Sequence, residues 1–311
     1  MPLSLLTQIA LSIVCGALSL GLAFVLALRY RTILGRMGLA MKARDAFSVT
    51  CMSEALSLVS PLKVGMFFSK PILTKDVAGI PVKKSFVAST FDQIIDISWQ
   101  VAILVPMLML IGETTMLGSV YIEIAIVIAA VAAVLLMLRN IGSVIRIAWR
   151  FKRLLPKKAR RLGKKAGITH GTVEMAFRNS MGLIYDRKLV MKILPSTLLI
   201  IMLEPVLFQI SGTVFSVQIG YMEAFLIFWT SNIIGRLSGI PGGFVSRDIT
   251  LFGMLVLFPV DGLLATEVIL LHRLVTMSPS VVTGVAYILY YGKSFGQSML
   301  RMRGAKQDGP D

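Results

Sequence analysis

Four charged side chains surround a helix-breaking stretch late in the sequence: Arg236 before it, Arg247 and Asp248 directly after it, and Arg273 one segment later. Guanidinium groups bind phosphate through a bidentate fork. Neighbouring carboxylates balance such charges, meet a cationic group, or exchange protons. Three more acids fall in apolar surroundings. Asp92 and Asp96 are one helical turn apart and share a face. Glu204 stands directly before Pro205, whose ring frees the carbonyl of Ile201. A carboxylate inside a membrane span is costly and usually faces a cavity or a cation. The plainer readings are solvation at the interface for the Asp pair and a bond to a neighbouring helix for Glu204. Lys63 and Lys70 complete the candidate substrate-binding set. The two histidines, His170 and His272, are too few for a His-rich metal site, and no metal is expected.

The residues that must position these groups are breakers. Gly239-Ile240-Pro241-Gly242-Gly243-Phe244-Val245-Ser246-Arg247-Asp248 interrupts a long apolar region. Pro241 stops a helix, and Gly242 and Gly243 admit close backbone approach. Pro61 and Gly65 form a second break, earlier in the chain. Breakers beside charges mark a discontinuous membrane segment around an enclosed cavity. A simple extramembrane turn is the alternative.

Composition fixes the class. Of 311 residues, 56% are hydrophobic and 15% charged, and the mean hydropathy is +0.80. Soluble domains carry about 25% charged residues, so an all-α polytopic membrane protein is indicated. The 32 Lys and Arg against 16 Asp and Glu give a formal charge of +16. In a membrane protein that excess sits in cytoplasmic loops. It points to anionic lipid headgroups as partners, and not to nucleic acid. Cys15 and Cys51 read as small buried hydrophobes.

Residues 3–28 carry no charge and suffice for one crossing. The basic run from Arg29 to Arg44 places the N-terminus outside and the following loop in the cytoplasm. Residues 46–60 are short for a span. The lysines from Lys63 to Lys84 return the chain to the cytoplasm, which makes this a re-entrant element or a helix on the membrane surface. Spans are expected over 85–111, 121–138, 189–212 and 262–291, with the C-terminus cytoplasmic. Residues 221–238 and 249–260 form a second hairpin, entering from outside. The basic run 139–165 reads as an amphipathic segment on the inner leaflet. The linker at 163–171 divides halves 1–162 and 163–311. The expected architecture is about five full spans and two re-entrant helical hairpins in an inverted repeat, in the cell membrane.

The motif Ile240-Pro241-Gly242-Gly243-Phe244-Val245-Ser246-Arg247-Asp248, followed by Leu271-His272-Arg273-Leu274-Val275-Thr276, resembles the C-terminal signature of the flippase-like transmembrane domain of lysylphosphatidylglycerol synthases. That pattern is close to Pro-Gly-Gly-x-Gly-x-Arg-Glu, then a span with Tyr-Arg-Leu-Leu-Thr. Val245 replaces the last Gly and Asp248 the Glu. Pro61-Leu62-Lys63-Val64-Gly65-Met66 with Lys70, then Asp92-Gln93-Ile94-Ile95-Asp96, is similar to the N-terminal signature, with Met66 for Glu and Gln93 for Arg. The resemblance covers nearly the whole chain. It implies translocation of polar lipids, such as aminoacylated phospholipids or lipid-linked sugars, between leaflets. With the chain ending at Asp311, a stand-alone member without the synthase domain is expected, and not an enzyme. No Gly-x-x-x-x-Gly-Lys loop is present, so no nucleotide cofactor is expected. Two other functions fit the same residues. One is a membrane-embedded transferase on a lipid-linked substrate, with Asp92 and Asp96 as its acid pair. The other is a non-catalytic partner of a separate synthase or glycosyltransferase, docked through 139–165.

Overall fold

A computed structural model describes residues 4–59, 64–112, 170–237, 244–258 and 260–304. Among the described residues every regular element is a helix: α1 (Leu5–Arg36), α2 (Ala43–Val59), α3 (Val64–Ala78), α4 (Val82–Gly112), α5 (His170–Ile184), α6 (Arg187–Val214), α7 (Tyr221–Leu237), α8 (Phe244–Leu257) and α9 (Gly262–Gly304). Among them α1, α6 and the Gly262–Tyr291 part of α9 are long and apolar enough to cross a membrane. The span expected over 85–111 is one continuous helix within α4. The span expected at 121–138, the basic run 139–165 and the break residues Pro61, Lys63, Pro241, Gly242 and Gly243 lie outside the described residues.

Local chemistry sets the helix ends. Ser4 caps α1 by accepting from the Thr7 amide at 3.3 Å. Gly38 ends the helix with φ +73°, which only glycine adopts without strain. The Gly38 amide then reaches Gly35 O and the Leu39 amide reaches Leu34 O, a complete Schellman turn. In α6, Pro205 leaves Ile201 O without its helical donor, and the Trp229 indole N–H of α7 supplies one at 3.1 Å. The kink residue thereby ties two helices together.

One expectation is corrected. The lysine-bearing stretch expected as a loop is helical: residues 64–78 form α3, α4 starts at Val82, and Lys70 within α3 is buried. Pro71 and spaced lysines dilute the apolar pattern there, although tertiary packing holds the helix. Of the linker expected at 163–171, residues 163–169 lie outside the described residues, and His170 and Gly171 open α5, which packs on α4 and α6.

Helix directions follow from specific contacts. Gln8 donates to Val214 O at 3.2 Å, the Cys15 thiol to Leu207 O at 3.6 Å, and Arg36 pairs with Asp186, so α1 and α6 are antiparallel. α2 begins near the Arg36 end, where Arg31 Nε reaches Met41 O at 2.9 Å. α7 begins at the opposite end, where Gln209 donates to Ile219 O at 2.9 Å. Neighbour relations repeat as well. α2 packs on α9 as α7 packs on α4, α1 on α9 as α6 on α4, and α3 on α4 as α8 on α9. α2 and α7 each have 17 residues. Exchanging α1–α4 for α6–α9 preserves these relations.

Apolar side chains cover much of the outside, and several polar and charged groups lie buried among the apolar core residues. Leu5, Leu6, Ile9 and Ile13 of α1, Ile249 and Leu257 of α8, and Leu263, Leu270, Leu274, Val282 and Leu289 of α9 are exposed. Ser48, Thr50, Ser53, Arg29, Lys70 and Asp92 are buried. This distribution suits hydrocarbon as the surrounding solvent.

Asp186 caps α6 through the Leu189 amide at 3.2 Å and receives Arg36 from α1. The Arg36 guanidinium beside it holds its carboxyl below the usual carboxylate range. A depressed carboxylate stabilises the fold above its unfolded pKa and loses that contribution as pH falls through the folded value. Asp186→Asn is therefore expected to lower the melting temperature at pH 7. The gap to the parent chain should close below about pH 4. A gap that persists unchanged well below that pH, where the carboxyl is protonated in both states, would show that it does not come from the ion pair.

Candidate functional site

Charged side chains gather in two places. The first joins α1, α3 and α4. Arg29 Nε donates to Asp92 Oδ1 at 2.8 Å, and its Nη1 reaches Asp96 Oδ1 at 3.2 Å. Lys70 Nζ holds Asp92 Oδ2 at 3.1 Å and lies 4.1 Å from the Tyr30 ring centroid. Gln100 Nε2 adds a bond to Asp96 Oδ2 at 3.3 Å. The residues are 2% exposed for Arg29, Lys70 and Asp92 and 8% for Asp96. Two cations face two carboxylates with no net charge, which is the condition for keeping ions out of water. Asp92 and Asp96 do share one face, and that face meets cations on other helices.

The second group joins α7, α8 and α9. Arg273 Nε donates to Asp248 Oδ1 at 3.0 Å, and a second guanidinium nitrogen stands in ion-pair contact with Oδ2, so the two groups meet at two points like a fork. The Arg247 guanidinium lies 5.0 Å from the Phe228 ring centroid. His272 is buried edge-on between Phe208 and Phe228, at 5.3 and 5.6 Å, with Nδ1 3.4 Å from Ser211 Oγ. Unlike the first group, this one is reachable. The side chains of Arg273 and Asp248 are 29% and 28% exposed. Arg273 lies about 17 Å along α9 from Gly262, at 1.5 Å per residue. That is well inside a segment able to cross the membrane.

The other candidates separate. Glu204 is half-buried in α6 beside Pro205. Arg236 is in the last turn of α7 and Gly65 in the first turn of α3. Among the described residues no group of His, Cys, Asp or Glu gathers that could hold a metal ion.

Arg29 is the residue that sequence reasoning missed. It directly follows an apolar run, where charge counting groups it with the flanking cations. The usable signal was charge balance: two acids deep in α4 require two cations, and Arg29 and Lys70 stand nearest to neighbouring apolar runs.

Comparison with known families decides the kinship. The lysylphosphatidylglycerol synthase TM region matches residues 2–284. The chain belongs to this synthase TM-region family. It is thus a membrane protein, in agreement with its helices and surface. A UPF0104 membrane protein of Methanothermobacter thermautotrophicus is 30% identical over 84 residues, which cover 27% of this chain and 25% of that protein. The chain therefore matches about a quarter of that relative's length. No solved structure matches. Within the family frame, the Met66 and Gln93 departures both fall in the first half. Gln93 holds in α4 the place that Arg273 holds in α9, counted from each helix's first residue. At that place α9 carries a guanidinium and α4 an amide.

Proposed function

We propose that this protein is a lipid flippase or scramblase that moves a polar phospho- or glycolipid headgroup across the cytoplasmic membrane. The observation that carries the reading is the partly exposed Arg273–Asp248 fork, with Arg247 beside it, deep within a membrane-crossing segment. A headgroup crossing about 30 Å of hydrocarbon needs its hydration replaced by fixed charges. Arg247 and Arg273 provide phosphate-binding geometry, and Asp248 holds Arg273 in place until a ligand competes for it. The opposed starts of α2 and α7 and the exchangeable neighbour relations support two re-entrant hairpins in an inverted repeat. Such a repeat lets a site open alternately to either side. Family membership supports the same reading. The closed Arg29–Lys70–Asp92–Asp96 group serves as the rigid counterpart, and no chemical step is assigned to the protein.

Proteoliposomes carrying a fluorescent phospholipid test this. Arg247→Ala and Arg273→Ala are each expected to cut the transbilayer rate by tenfold or more, roughly the loss of one charge-assisted contact. Elution profile and melting temperature should stay near those of the parent. Parental rates in both variants would remove these arginines from the path.

A further inference from the structure

We infer that the cleft between the Arg36 end of α1 and the first turns of α6 is a docking site for the headgroup of an anionic phospholipid. The cleft has a volume of 670 Å³ and is lined by Arg31 and Arg36 from α1 and by Lys188 and Lys192 from α6, with Leu28 and Leu189 among its apolar walls. Lys188 and Lys192 are one turn apart and therefore share a face. Against these cations stands Asp186, which Arg36 engages, while Arg31 uses Nε to hold Met41 O. The remaining guanidinium nitrogens and two exposed ammonium groups leave the cleft with a surplus of positive charge.

Depth identifies the occupant. α1 has 32 residues, about 48 Å at 1.5 Å per residue, against a hydrocarbon core of about 30 Å. Its last turns therefore stand in the headgroup layer. Going back along α1 from Arg36, the lining changes from cationic to the apolar Leu28. On α6, Met191 and Leu199 continue an exposed apolar surface toward the membrane interior. Cation above and hydrocarbon below match a phospholipid in the same leaflet. A free phosphate would use only the upper half. Basic residues at this depth attract anionic lipid individually, and the cleft adds a walled space for one headgroup. The inference goes beyond the transport reading, since equilibrium binding here requires no movement between leaflets.

The test uses the full chain in mild detergent, titrated with short-chain phosphatidylglycerol, short-chain phosphatidylcholine or inorganic phosphate and read by native mass spectrometry. The parent chain should prefer phosphatidylglycerol. Lys188→Gln with Lys192→Gln should lower that preference roughly tenfold. Lys83→Gln with Lys84→Gln, which removes the same charge from exposed sites on α4, should leave it intact. Equal losses in the two double variants would reduce the effect to overall charge and overturn the site. Displacement of phosphatidylglycerol by equimolar inorganic phosphate would overturn the lipid assignment. Lys192→Gln alone carries the same comparison should the α6 double variant unfold. Flux measurements are separate, so failure here leaves the Arg247 and Arg273 reading standing.

Discussion

Asp92→Asn is expected to leave most of the protein unfolded or aggregated after extraction. Asp92 accepts from Arg29 on one oxygen and Lys70 on the other, at 2.8 and 3.1 Å, with all three side chains buried. The amide cannot balance two cations, so one positive charge is stranded in the interior. Breaking a buried pair from one side costs about 3–5 kcal/mol, a large part of a typical stability of about 5–15 kcal/mol. The measurement is melting temperature and monodisperse yield. Adding Lys70→Met to Asp92→Asn should recover part of the loss, because Arg29 and Asp96 then remain as one neutral pair. That recovery is a non-additive signature of coupled charges. A single Asp92→Asn variant that melts with the parent would refute the network.

The second large effect is at Gly284. A Cβ built there would lie 2.4 Å from Cys51 O, 2.8 Å from Cys51 C and 2.9 Å from the Ala55 side chain. The nearest obstacles are backbone, so α2 and α9 would have to separate. Small residues permit this kind of close helix approach in membranes. Gly284→Ala should cost about 1–3 kcal/mol as overpacking, and Gly284→Leu should not yield folded protein. Cys51 reports the event, since it is a free thiol buried at this contact. In a Cys15→Ala background, alkylation of Cys51 should be slow in the parent and fast in Gly284→Ala. Equal rates would show that α2 and α9 tolerate the added methyl group.

Much of the helical frame could be read from sequence. The charge-free run 3–28 became α1, and the Asp92–Asp96 spacing correctly predicted a shared face. The carbonyl that Pro205 sets free was predictable from proline geometry, but its donor, Trp229, lies 28 residues away. The same distance problem hid the buried ions. Arg29 is 63 residues from Asp92, and Lys70 is 22. Counting cations at span edges assigns topology, and it cannot separate a solvated lysine from one folded inward. α3 was hidden because Lys70, Pro71 and Lys75 break its apolar periodicity. The Arg273–Asp248 fork emerged only in part: its members were named from their setting, while their direct pairing depends on how α8 meets α9.

The four-ion group also has a consequence for biogenesis. Arg29 leaves the ribosome 63 residues ahead of Asp92, so no counter-ion exists when α1 first enters the translocon. Its apolar run is long enough to cross alone, which lets Arg29 wait at the lipid interface with its charge hydrated. Final seating of the first helix is thereby postponed until the fourth has been synthesised. Insertion and assembly are two events in time for this segment, and the arginine sets the interval between them.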